Sequence, residues 1–425
     1  MINEQRFIKN FNEISKFGAL KGQNYLQNSK PTGGLTRLAF SNEDKNAREF
    51  FINLVKSYDL DIRVDSVGNI YARFSDVLEP DLPAISVGSH IDSVPNGGFY
   101  DGTLGVMAGL EAIVSIKEIL KTNNEKLKRP LELIVFVAEE SSRFKMATIG
   151  SKIISGKLSV SRLKELVDDS GISVFDAMKN FGLNPENLEK SILKDKTYKS
   201  YIELHIEQGR VLEEMGISVG VVTGIAAPIR FELTINARAD HSGATPMNMR
   251  CDALVAASHI ILAARNFASE FKTAVATVGY TKVIPGALNV VPGKVVMGVD
   301  MRDIDEKNLN TLNQNLRNYI NDLSNEFGFS YEIKELAADT PVKLDDSLIN
   351  LLYKNALDLD IKAHKMPSGA GHDAMHMSGI ADKVGMIFIP CKNGISHNID
   401  EDIDFKDAIK ATNLLTKTMM GLANS

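Results

Sequence analysis

At 425 residues the chain is too long for one ordinary hydrophobic core, so about two domains of roughly 100 to 200 residues, one of them discontinuous, are expected. Its 44% apolar and 24% charged residues are those of a globular protein, and a formal charge of -6 without clustered basic residues excludes nucleic acid as the expected partner. Two isolated cysteines, Cys251 and Cys391, offer neither a disulfide framework nor a thiolate knuckle, so any metal must be held by histidine and carboxylate.

Near the amino terminus, Phe7, Ile8, Phe11 and Ile14 recur at helical spacing, which predicts an amphipathic helix and not the apolar core of a signal peptide. The longest weakly polar run, Ile217 to Ile229, falls short of the ~20 residues that span a bilayer and contains Gly and Pro. A cytoplasmic enzyme with no membrane partner is therefore expected. Strands are predicted at Asp61 to Val64, Asn69 to Phe74 and Ala84 to Gly88, then a helix from Gly102 to Leu120. Its apolar residues cover most of the circumference, as in a helix buried between layers. The run from Leu131 to Ala138 is apolar almost throughout, as suits a central α/β strand.

From about Gly216 to Leu336 the pattern changes to β-α-β-β-α-β. Phe231, Leu233, Ile235 and Ala237 alternate, and helices are predicted at Cys251 to Ala268 and Glu306 to Phe327. Strands are predicted near Ala274 to Val283 and Lys294 to Met301. The expectation is an α/β fold: a mixed-sheet domain with helices on both faces, formed by residues 1–215 and 337–425, interrupted by a ferredoxin-like α+β domain at 216–336.

The eight histidines say little singly, but their contexts separate them. His90 follows the apolar run Ala84 to Val87, which puts it at the carboxyl end of a strand, where open α/β sheets place their sites. Asp92 lies two residues on, on the same side, where its carboxylate would accept the second imidazole N–H and fix the tautomer; an Asx turn beside a surface histidine is the alternative. Asp101 stands between glycines at the start of the buried helix, either as an N-cap or as a ligand. Glu139 and Glu140 close a buried strand, and because neighbouring strand residues face different ways, one can bind metal while the other takes a proton. His205 and His397 also follow strand-like runs. Three histidines with Asp and Glu suit a pair of divalent ions such as Zn²⁺, Mn²⁺ or Co²⁺.

These residues sit in segments that together resemble the hydantoinase/carbamoylase branch of the amidohydrolases related to dinuclear metallopeptidases. The segments are Gly34-Leu-Thr-Arg37-Leu-Ala-Phe-Ser, Gly88-Ser-His-Ile-Asp-Ser-Val-Pro-Asn-Gly-Gly-Phe-Tyr-Asp-Gly102, Glu139-Glu-Ser-Ser-Arg-Phe144, His205-Ile-Glu-Gln-Gly209, Asn289-Val-Val-Pro-Gly293 and Gly369-Ala-Gly-His-Asp-Ala374. The resemblance implies two metal ions, one on His90 and His205, the other on Glu140 and His397, bridged by Asp101, with Glu139 as general base. It implies that His241 reaches the oxygen of the tetrahedral intermediate, commonly across a homodimer formed through the inserted domain, which closes over the substrate. Asn289 and Arg302 match the substrate-anchoring pair, and Gln208 and His372 further site-lining positions; from spacing alone Arg302 reads equally as a surface ion pair at a strand end.

The implied reaction is hydrolysis of the linear C–N amide of an N-carbamoyl-L-amino acid, a small-molecule substrate, giving the amino acid, ammonia and CO₂. Allantoate or another ureido acid is the alternative substrate, and the motifs do not separate them. A metal-dependent dipeptidase or aminoacylase shares the metal core, but the Glu-Gln-Gly after His205 argues against it. Ser141, after the glutamate pair, departs from the Gly more frequent in the family without touching a ligand. The absence of His-Glu-x-x-His, Walker and Gly-x-Ser-x-Gly patterns speaks against a zincin, nucleotide hydrolase or serine hydrolase.

Overall fold

A computed structural model describes residues 1–425, which form two compact units. The first comprises Met1–Thr223, Leu344–Met366 and His372–Ser425; the second comprises Gly224–Lys343 and Pro367–Gly371. The second unit thus starts later than 216 and ends later than 336. The later start has a hydrogen-bonding reason: Gly220 and Val221 pair with Phe388 and Ile387 in the first unit's sheet.

The first unit's sheet is built on β1 (Asp61–Val64), β2 (Ile70–Phe74), β3 (Ala84–His90), β4 (Leu131–Phe136), β5 (Tyr198–Ile206), β6 (Val219–Ile225) and β7 (Val384–Ile389). Their spatial order is β6-β7-β5-β3-β4-β2-β1. The four central strands β7, β5, β3 and β4 are parallel and the flanking pairs antiparallel. Strands β3, β4 and β7 are buried at every position, because both faces are covered. On one face Val87 and Leu133 meet Gly109 of the helix Thr103–Asn123, which is buried from Thr103 to Ile116 and packs on the helix Phe405–Ala423. On the other, Glu203 accepts the amide of Ala374, at the start of the short helix Ala374–Met377. The predicted amino-terminal helix runs Glu4–Ser15, burying Phe7, Phe11 and Ile14.

In the second unit, four antiparallel strands lie in the order Val275–Ile284, Lys294–Asp303, Ala227–Asn236, Ser330–Ala338. Burial alternates along Ala227–Asn236. Phe231, Leu233 and Ile235 point into a core shared with Ile260, Leu312, Leu316 and Ile320 of the helices Ala253–Ala268 and Glu306–Phe327. Asp252 and Asp305 cap these helices, accepting the amides of Leu254 and Asn308. The fold is a mixed α/β sheet with helices on both faces and a four-stranded α+β unit. No helix is long and apolar enough to cross a membrane.

Candidate active site

His90 ends β3 and His205 lies at the end of the adjacent parallel strand β5, so their imidazoles emerge side by side at the carboxyl edge of the sheet, with ring centroids 5.9 Å apart. Between them and the buried helix sits Asp101. Its Oδ1 lies 3.5 Å from His90 Nε2 and 3.1 Å from His205 Nε2; its Oδ2 lies 3.1 Å from His397 Nε2. Glu140 Oε1 is 3.4 Å from the same His397 nitrogen, and Glu139 Oε2 is 3.8 Å from His90 Nε2. The neighbouring glutamates therefore serve different histidines. Gly102 has a φ of 60°, and a Cβ there would fall 2.4 Å from the His90 ring, so the turn into the helix requires glycine.

The way Glu139 and Glu140 are held differs from the sequence-based expectation in two respects. Strand β4 stops at Phe136, and Ala138 turns the chain at a φ of 52°. That turn aims the amides of Glu139 and Glu140 at the Asp92 carboxylate, which accepts them at 3.2 and 3.0 Å. With both oxygens so engaged, the Asp92 carboxylate stands 3.7 Å from His90 Nδ1, and the acceptor for that nitrogen is the Asp92 main-chain carbonyl, at 3.0 Å. The equivalent His205 nitrogen meets the Ile206 carbonyl at 2.9 Å. Carbonyls at Nδ1 put the ring proton there and leave the Nε2 lone pairs facing Asp101. The Gly102 amide, 3.3 Å from His205 Nε2, agrees with that tautomer.

Lone pairs on imidazole nitrogens facing carboxylate oxygens call for a cation between them, and several features fit one. His90, Asp101 and His205 bring donor atoms within 4.8 Å of one another, as do Asp101, Glu140 and His397. Glu140 Oε1 is buried without a hydrogen-bond partner, which is costly unless a charge faces it. The local field also favours positive charge. Where no cation lies between the donors, burial, the largest influence, would raise Asp101, but hydrogen bonds from His205, His397 and His90 outweigh it and hold the carboxyl well below its usual range. His397 is pushed up to about 9 by Asp101. Burial pushes Glu139 well above its ordinary value and, with Asp101, takes Glu140 to about 8. A set of nitrogen and oxygen donors with a shared carboxylate suits divalent Zn²⁺, Mn²⁺ or Co²⁺.

Gln208, at a φ of 59°, donates to Asp101 Oδ2 at 2.9 Å and to Ser396 Oγ at 3.3 Å. His372 is buried edge-on against the His205 ring, centroids 4.6 Å apart, and its pKa is held well below the ordinary value by burial and then by His205. Asn289, His241 and Arg302 lie in the second unit. Asn289 is exposed, its carbonyl accepting the Ser242 amide. His241 is exposed, and its Nδ1 accepts the amides of Gly243 and Ala244, so the neutral ring carries its proton on Nε2 as a free donor edge. Arg302 donates to Asp300 and to the Gly369 carbonyl.

Glu401 escaped the sequence reading. It is buried, its Oε1 accepts the amides of Tyr100 and Asp101, and its Oε2 accepts the Ser396 hydroxyl. It therefore holds the backbone that carries the shared carboxylate. The available signal was a carboxylate four residues after the candidate ligand His397. Gly98 belongs to the same arrangement, since a Cβ there would fall 2.0 Å from Glu401 Oε1.

Comparison with known proteins adds three kinds of likeness. Residues 86–421 match the model of peptidase family M20/M25/M40. A protein named uncharacterized hydrolase, from Haemophilus influenzae, is 43% identical over 91% of this chain and 93% of its own. An N-carbamoyl-L-amino-acid amidohydrolase of Paenarthrobacter aurescens is 36% identical over 98% of each chain, and a ureidoglycolate hydrolase of Oryza sativa is 37% identical over 92% of this chain and 81% of its own. A hydantoinase/carbamoylase-family amidase from Burkholderia multivorans superposes with a TM-score of 0.89 at 29% identity, over 100% of this chain and 98% of the other.

Proposed function

This chain belongs to the peptidase M20/M25/M40 family of hydrolases, and from that premise we propose that it hydrolyses the carbamoyl C–N bond of an N-carbamoyl-L-amino acid. The observation that carries the proposal is the convergence of His90, His205, His397 and Glu140 on Asp101, with Glu139 alongside. Two bound divalent cations would polarise the carbamoyl carbonyl, lower the pKa of water at the site and offset the burial that raises Glu139 and Glu140.

The chain's own residues do the rest. His90 and His205 would hold one cation and Glu140 and His397 the other, with Asp101 available to both. Glu139 takes a proton from the attacking water and returns it to the leaving nitrogen, work suited to a carboxyl whose pKa is raised by burial. His241, with its Nε2–H free, donates to the oxygen of the tetrahedral species. Arg302 and Asn289 anchor the substrate carboxylate, Arg302 through a guanidinium edge. Gln208 and His372 line the site, and Asp92 sets the backbone of both glutamates. The C–N bond breaks to give the amino acid and carbamate, which decomposes to ammonia and CO₂.

Other ureido acids, such as allantoate or ureidoglycolate, form the second reading, favoured by the ureidoglycolate hydrolase among the relatives. A homodimer through the second unit is part of the same proposal. The strand Val275–Ile284 is a sheet edge with Val275, Tyr280 and Ile284 exposed, and the helix Ala253–Ala268 leaves Leu254, Val255, Ile261 and Leu262 in solvent. Ammonia release from N-carbamoyl-L-methionine, allantoate and a dipeptide control, after chelation and re-addition of Mn²⁺, Co²⁺ or Zn²⁺, tests the reaction. Metal-restored turnover of the carbamoyl compound is expected; turnover of the dipeptide alone would reject the assignment. Sedimentation equilibrium tests the dimer.

A further inference from the structure

On the face of the second unit's sheet turned away from its helices, three charged side chains form a ladder. Arg230 stands directly opposite Asp300 in the antiparallel register, and Arg302 follows two residues on, so the period of two puts all three on one face. Asp300 Oδ1 accepts from Arg302 Nε at 3.1 Å; Oδ2 accepts from Arg302 Nη2 at 3.1 Å and from Arg230 Nε at 2.8 Å. Asp300 thereby occupies the side-on edge of the Arg302 guanidinium, while Nη1 reaches the Gly369 carbonyl at 2.9 Å. A guanidinium holds five N–H donors in a fixed fork, so N–H groups on the end formed by the two terminal nitrogens remain turned away from Asp300. Arg230 engages Asp300 through Nε alone, leaving its terminal nitrogens clear of that contact. The ladder borders a cavity of about 500 Å³ whose walls also include Val275, Tyr280 and Leu336.

We propose that Arg230 and Asp300 set the charge of the subsite in which Arg302 anchors the substrate, and thereby select substrates bearing one carboxylate over those bearing two. The inference rests on the reading of Arg302 as that anchor. Two guanidiniums less one carboxylate leave one net positive charge, matched to a single anionic group. A second carboxylate on the substrate would face Asp300, the like-charge contact by which a site rejects a wrong partner. Asp300 also keeps two cationic side chains together that would otherwise repel, and fixes which edge of Arg302 is presented. Arg230 is the second cation of the subsite, and Asp300 is a positioning and selectivity residue that need not touch the substrate.

The test uses the metal-loaded full chain with N-carbamoyl-L-asparagine and N-carbamoyl-L-aspartate, which have nearly the same shape and differ in charge. The wild type is expected to favour the asparagine compound by about tenfold or more in kcat/KM, roughly 1.4 kcal/mol. Asp300→Asn should narrow that ratio about fivefold, mainly by lowering KM for the aspartate compound relative to KM for the asparagine compound. Arg230→Met should raise KM for both compounds about fivefold at nearly constant kcat, and Arg230→Lys should recover most of the loss. An unchanged ratio in Asp300→Asn, or an unchanged KM in Arg230→Met, overturns the proposal. If Asp300→Asn does not fold, the Arg230 pair decides. If the wild type hydrolyses neither compound, the carbamoyl-hydrolase reading fails, and calorimetric titration of both compounds into wild type, Asp300→Asn and Arg230→Met still decides the charge selection: a smaller preference for the asparagine compound in Asp300→Asn with weaker binding of both in Arg230→Met supports it, and binding identical to wild type in either variant overturns it.

Discussion

Each unit of this molecule organises its charged chemistry around one carboxylate, and the two carboxylates live in opposite surroundings. Asp101 is buried, ringed by imidazoles at 3.1 to 3.5 Å, and its own amide is held by a second buried carboxylate, Glu401. Asp300 is half-buried and holds two arginines on an open sheet face. In the first setting the histidines outweigh the burial penalty and hold the Asp101 carboxyl far below its ordinary range. In the second, solvent screens every charge, so selection by charge works only at contact range, between groups that stand directly beside the bound substrate. Chemistry that must stabilise developing charge belongs in the first kind of place, and recognition of an already charged substrate can work in the second.

The comparison is tested most severely at Glu139. Replacing it with Gln should lower kcat by about 10²- to 10⁴-fold while metal content, read by elemental analysis, stays unchanged; near-normal turnover would remove Glu139 from proton transfer. Next comes Glu401→Ala, which leaves the Asp101 amide without its acceptor. Loss of such an outer partner should weaken metal affinity about 10- to 100-fold, measured by competition with a metal-sensitive dye, and an unchanged affinity would make Glu401 a bystander.

On the exposed side the effects should be smaller. Arg302→Ala is expected to raise KM for carboxylate-bearing substrates about tenfold with kcat little changed; a loss confined to kcat would move Arg302 from anchoring to catalysis. Salt sharpens the contrast at the lowest level. Raising ionic strength from 0.05 to 0.5 M should increase KM about two- to threefold through screening at the Asp300 ladder, whereas metal occupancy of the buried centre, assayed in parallel, should hold. Equal sensitivity of the two would erase the distinction.

Much of this architecture is written locally. Apolar runs ending in His90, in His205 and shortly before Glu139 announce strands and place chemistry at their carboxyl ends, because a strand buried on both faces has few polar positions to spare. The alternation of Phe231, Leu233 and Ile235 shows which face of the second sheet meets its helices. Other features depend on distance along the chain. Nothing near Asp92 reveals that its carboxylate is consumed by the amides of Glu139 and Glu140, 47 and 48 residues away, leaving its main-chain carbonyl to orient His90. Glu401 finds the Asp101 amide across 300 residues.

Composition, periodicity and motif spacing pointed to the fold class and to histidine and carboxylate as the candidate donors, since each depends on residue type and on neighbours within a strand or turn, while the shared role of Asp101 was implied only by the family resemblance. Tertiary structure decided which acceptor orients each imidazole, where the unit boundary falls and that Arg230, 70 residues from Asp300 in the chain, stands beside it. Those depend on register and backbone direction, which are settled only when distant segments pack and their remaining hydrogen-bonding groups must find partners.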